Sequence, residues 1–157
     1  MRIQAKWTCG VLAACLLGSA AFAAPAPGDI RLPDAMQKQD KQAVRAMLQQ
    51  GVNVNSAQKD GATALHWAVH WDDAETVDAL VKAGANINAK NDYGATPLSL
   101  ACTNGNSAIA VKLLDAGANP NSTMPSGETP LMRCARTGST AAVQARSEEH
   151  TSELQSR

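Results

Sequence analysis

The sequence predicts an all-α solenoid of stacked helix–turn–helix units with a turn finger projecting between one helix pair and the next. Three observations carry that expectation. The first is an internal period: Gly61, Gly94 and Gly127 stand 33 residues apart, and a fixed period of this length marks a stacked array. The second is a set of short amphipathic stripes bounded by capping residues. The third is composition, since 45% of residues are apolar but only 3% are aromatic, so Ala, Leu and Val must fill the interior.

The period holds in column after column. Thr63, Thr96 and Thr129 align, as do Leu32, Leu65, Leu98 and Leu131, with small residues at Ala35, Ala68, Ala101 and Cys134. Further along come Gly51, Gly84 and Gly117, then Asn53, Asn86 and Asn119, then Asn55, Asn88 and Asn121. Each column has a physical purpose. The threonines are N-caps whose hydroxyls take a free first-turn amide, worth about 1 kcal/mol each. Pro97 and Pro130 sit just inside the first helices, where a missing N–H costs nothing. Leu65 with Ala68 and Val69, and Leu98 with Ala101 and Cys102, give the i, i+3, i+4 stripe of an amphipathic helix. Val77, Leu80 and Val81, then Ala110, Leu113 and Leu114, mark the second helices, which Gly84 and Gly117 stop. Units this short bury their apolar sides only against each other. The first unit carries Gln37, Lys38, Gln39, Asp40, Lys41 and Gln42, the polar exterior of an N-terminal cap.

These residues resemble the ankyrin-repeat family. The marks are Gly61-x-Thr63-Ala64-Leu65-His66, Gly94-x-Thr96-Pro97-Leu98 and Gly127-x-Thr129-Pro130-Leu131, with Gly84-Ala85-Asn86-x-Asn88 and Gly117-Ala118-Asn119-x-Asn121 closing units. Ala64 replaces the usual Pro, Ser99 and Met132 the usual His, and Asp72 a helix-ending Gly. The resemblance implies units at about 32–57, 58–90, 91–123 and a truncated 124–145. It also implies that His66 braces its turn by hydrogen bonds, and that the array is a scaffold gripping a protein partner through a concave face. Turn tips and first-helix outer positions would make that face: Lys59, Asp60, His70 and Trp71, then Asp92, Tyr93, Thr103 and Asn104, then Ser126, Glu128, Arg136 and Thr137. Trp71 and Tyr93 are the expected anchors, because exposed aromatics are enriched among interface hot spots. Trp67 replaces a residue that usually packs inward and is read as core ahead of binding.

The N-terminus reads as an address. Arg2 and Lys6 form a positive region, Val11–Leu17 an apolar stretch and Ala21-Phe22-Ala23 a cleavage pattern, so residues 1–23 are expected to be a signal peptide and 24–31 a linker. The apolar stretch is too short to span a membrane. Leu12-Ala13-Ala14-Cys15 also resembles a lipobox, leaving a lipid anchor at Cys15 as the alternative. The expected setting is a bacterial periplasm or secretion, and the expected state a monomer. Removal of Cys9 and Cys15 would leave Cys102 and Cys134, in adjacent small-residue columns and expected to pack as small free thiols; a disulfide between them is the less favoured reading, since it needs Cα atoms within about 7 Å, closer than stacked units are expected to bring them. Residues 146–157 shift abruptly to polar text and resemble a translated sequencing adapter. Period-related positions 80–81 and 113–114 are apolar whereas Arg146 and Ser147 are not, so the natural unit is expected to continue differently, with the present end frayed from about Met132.

Charge balances at 14 basic and 14 acidic residues without long runs, which disfavours a nucleic-acid or acidic-membrane surface. No nucleophile–base arrangement, phosphate loop or carboxylate pair stands out. His66 and His70 share a helical face near Asp72 and Asp73, yet a third convincing metal ligand is missing. The expectation is therefore a binding protein with no cofactor, metal or catalytic residues. Two other readings stay open: the leading portion of a longer enzyme, and a dedicated inhibitor or protective partner of an exported enzyme.

Overall fold

A computed structural model of the chain describes residues 29–144. The expected signal segment, the Cys15 alternative and the adapter-like tail lie outside the described residues. The helices run α1 (Arg31–Gln37), α2 (Lys41–Gln49), α3 (Ala64–His70), α4 (Ala74–Lys82), α5 (Pro97–Asn104), α6 (Ser107–Asp115) and α7 (Pro130–Arg136), and residues 140–144 are again helical. Helices α1, α3 and α5 each pack on the even-numbered helix that follows. Across units, α1, α3, α5 and α7 form one row by successive contact, while α4 and α6 meet in a second.

The repeat columns become the core. Leu32, Leu65 and Leu98 are buried along the first-helix row, as are Ala35, Ala68, Ala101 and Cys134. Val77, Leu80, Ile109, Ala110 and Leu113 close it from the second helices. Small side chains in the shared column let successive first helices approach closely, so a bulkier residue at Ala101 would overpack them. Gln37 through Gln42 are exposed, as expected of a capping unit.

Thr63, Thr96 and Thr129 all precede their helices in extended backbone. Thr96 and Thr129 accept the N3 amides of Ser99 and Met132 at 3.2 and 3.3 Å. A second capping column was not read from the sequence. Asp40, Asp73 and Asn106 cap α2, α4 and α6 by accepting from Ala43, Thr76 and Ile109 N–H groups. Asp73, weighed above as a metal neighbour, also pairs with Lys41 at 2.8 Å. Asp72 adopts φ 54°, the left-handed conformation that Gly105 and Gly138 take one and two periods later; a short polar side chain tolerates it.

The fingers repeat one hairpin-like turn. Gln58, Asn91 and Met124 donate their amides to Ala62, Ala95 and Glu128 carbonyls at 2.9 to 3.1 Å. Asp92 N–H donates to Asp60 O at 2.9 Å, joining the second finger to the first. Gly94 shows why its column needs glycine. It has φ 72°, and a Cβ there would lie 2.5 Å from Pro125 Cδ in the next finger.

Two expectations are corrected. Cys102 and Cys134 are not free thiols: they form a disulfide between α5 and α7, with Cα atoms 4.3 Å apart. The expectation placed stacked units too far apart, whereas the small-residue columns bring these backbones within bridging reach. Nor does order end at Met132. Helix α7 continues to Arg136, and Cys134 and Ala142 are fully buried, so the sulfur bridge and the buried second-helix start hold this end.

Candidate protein-binding face

The first-helix row and the fingers contain two adjoining hollows. One, of about 210 Å³, is lined by Asp60, Ala62, His66, Trp67, His70, Asn91 and Leu100. The other, of about 390 Å³, is lined by Ile30, Asp34, Gln37, Gln58, Lys59, Asp60 and Trp67. Trp67 and Asp60 belong to both, forming the ridge between them. Trp67 is thus only part core. Its body packs against the buried cluster, while its indole N–H donates to Gln58 Oε1 at 2.8 Å. Gln58 is itself held, donating to Asp34 Oδ1 at 2.6 Å and Gln37 Oε1 at 3.0 Å.

His66 lies beneath the first hollow and is occupied on both ring nitrogens. Nδ1 accepts from the Thr63 amide at 3.2 Å and pairs with the Thr63 hydroxyl at 2.9 Å, while Nε2 faces Ala95 O at 3.1 Å. An acceptor at Nδ1 and a carbonyl at Nε2 assign the proton to Nε2. Burial lowers the His66 pKa from its ordinary 6.5 despite the opposing Ala95 bond, so the ring is held neutral. It braces its own turn through Thr63, as the resemblance implied, and also ties the second unit to the third through Ala95 O.

The twelve expected face residues fall into two groups. Exposed, with side chains not bound to the next unit, are Lys59, Trp71, Asp92, Tyr93 and Ser126, with Tyr93 at 72% and Trp71 at 42% exposure. Asp60 and His70 join them at the first hollow. His70 lies edge-on to both Trp67 and Trp71, ring centroids 5.7 and 4.8 Å away.

The other five are engaged within the solenoid. Asn104 donates to Val69 O and His70 O of the preceding unit at 3.1 and 3.3 Å. Thr137 donates to Cys102 O at 2.7 Å, and Thr103 receives Arg133 Nη1 at 3.0 Å. Glu128 pairs with Arg133 at 2.8 Å and Arg136 at 2.7 Å. The Arg133 hydrogen bond, chiefly, lowers the Glu128 pKa. Arg133 itself was missed by the sequence reading; its place one helical turn after Pro130 gave no sign of its reach to both Thr103 and Glu128.

Among the described residues, no group of three His, Cys, Asp or Glu is placed to hold a metal ion, and no helix is long and apolar enough to cross a membrane. Two family models match the chain. One, described as ankyrin repeats (3 copies), covers residues 32–91, and the other, described as ankyrin repeats (many copies), covers residues 80–133. Together they take in well over half of the 157 residues. No curated protein matches it.

Proposed function

The chain belongs to the ankyrin-repeat family, and on that premise we propose that it is an exported binding scaffold, periplasmic or secreted, that grips one protein partner through its fingers and first-helix row. Ankyrin repeats generally mediate protein–protein interaction and are typically non-enzymatic. The observation that carries the reading here is Tyr93, a large aromatic side chain 72% exposed at a fingertip, two residues along the finger from Asn91, which lines the smaller hollow. An amphipathic ring fixed by few torsions is a low-entropy anchor. Trp71 supplies a second ring at the far end of α3. The Cys102–Cys134 bridge supports the exported setting, since structural disulfides persist in oxidising compartments.

The test is affinity capture from periplasmic extract, comparing the intact chain with a Trp71→Ala, Tyr93→Ala double variant. Partner recovery is expected to fall steeply, as truncating a hot-spot aromatic costs about 2 kcal/mol or more. Equal recovery by both proteins would overturn the choice of anchors.

A further inference from the structure

We propose that the smaller hollow receives an arginine or lysine side chain from an extended segment of the protein partner. This rests on the binding reading above and adds what the face recognises.

Much of the hollow's polar capacity is used inside the fold, although among the described residues the His70 ring and the Asn91 Nδ2 group make no hydrogen bond. Asn91 Oδ1 accepts the Tyr93 and Ala95 amides at 3.1 and 2.9 Å. His66 is committed at both nitrogens and held neutral, and the Trp67 N–H is given to Gln58. Asp60 differs. Its Oδ1 takes the Ala62 amide at 3.1 Å, but among the described residues its second carboxylate oxygen has no hydrogen-bond partner. The hollow thus offers one uncommitted anionic oxygen beside an indole whose orientation is fixed by the Asp34–Gln58 chain.

A carboxylate next to an aromatic wall suits a cation with a long apolar stem. The charge can face Asp60 and lie against the Trp67 ring, while the methylenes cover Ala62 and Leu100. Surrounding charge favours the same sign of guest. Asp92 sits on the neighbouring finger, bonded through its backbone to Asp60, and Asp34 lies across the ridge. Lys59 lines the other hollow, and the Lys90 ammonium donates to Thr123 O at 3.3 Å. An acidic or phosphorylated segment would be repelled here.

The experiment selects a displayed random-peptide library on the full chain, then measures labelled winners by fluorescence polarisation. Winners are expected to carry Arg or Lys. Affinity should fall at least tenfold on Asp60→Asn, which keeps the acceptor for the Ala62 amide, and equally when the peptide's Arg is replaced by citrulline. Combining the two changes should add little, because both remove the same pair. The citrulline arm leaves the protein untouched, so misfolding cannot imitate the result. Winners without basic residues, or basic winners indifferent to Asp60→Asn, overturn the proposal. If such winners still weaken on Tyr93→Ala, the binding face stands and only its preference is wrong; if nothing responds to either substitution, both readings fall.

Discussion

The junction between the second and third units and the junction between the third and fourth share a geometry but are fastened by different chemistry. In the former, His66 reaches across to Ala95 O, Asn104 returns to Val69 O, and Asn106 reaches Asp72 at 3.1 Å. One period later Ser99 stands where His66 stood. Its hydroxyl is too short to cross and instead donates to Thr96 O within its own unit, at 2.8 Å. The junction it fails to brace is the one that carries the disulfide, together with Thr137 to Cys102 O and Arg133 to Thr103. A repeat array tolerates loss of a brace in one column when another column supplies a fastening, because each junction contributes its own nearest-neighbour energy.

The largest expected effect comes from the sulfur bridge. Cys134→Ser should destabilise the chain by about 3 to 4 kcal/mol from loop entropy alone, the cysteines having a sequence separation of 32. Urea unfolding with and without reductant checks it; reductant should reproduce the loss in the native chain and do nothing to the variant. A native chain indifferent to reductant would mean the third junction holds without covalent help.

Next comes the finger contact. Gly94→Ala forces a Cβ into Pro125 and a side chain into left-handed backbone, costing about 2 to 3 kcal/mol. Gly127→Ala has a similar φ of 79° but nothing within 4 Å of its Cβ, so only the conformational part, about 1 to 2 kcal/mol, should appear. Paired melting curves measure the difference, and equal losses would show that the fingers do not press on one another.

The smallest effect sharpens the contrast of braces. His66→Ala should cost about 2 kcal/mol by leaving buried polar groups unpaired, whereas Ser99→Ala should cost about 1 kcal/mol as a weakened cap. His66 also has a pH signature. Its folded pKa lies below the ordinary 6.5, so the unfolded chain takes up a proton first on acidification. Its stabilisation is full above about 6.5 and declines as pH falls from there toward the folded value. The stability gap between wild type and His66→Ala, followed by urea midpoints across that window, should narrow with acid.

Much of this was legible beforehand because a repeat displays its constraints several times over. The capping threonines, the finger glycines and the leucine row follow from columns and chemistry together, and the bracing role of His66 from the family resemblance. The bridge was not legible. Cys134 shares the Ala101 column while Cys102 is one position on, and only the close approach of α5 and α7 turns that offset into a bond. The candidate face was half legible for a related reason. Residues outside the repeat pattern look free in a sequence, yet Asn104 and Thr137 are spent on neighbouring units and Tyr93 is not. Sequence variation marks where stacking makes no uniform demand; it does not reveal a private contact.

The position of the bridge also decides how the chain would yield to tension. Pulled from its two ends, the solenoid can peel open through the first and second units, but the span from Cys102 to Cys134 is bypassed by the covalent link. Roughly 110 Å of slack, at about 3.4 Å per extended residue, stays hidden until a reductant releases it. A chain held under load would thus lengthen in two instalments, the second governed by redox chemistry rather than by force.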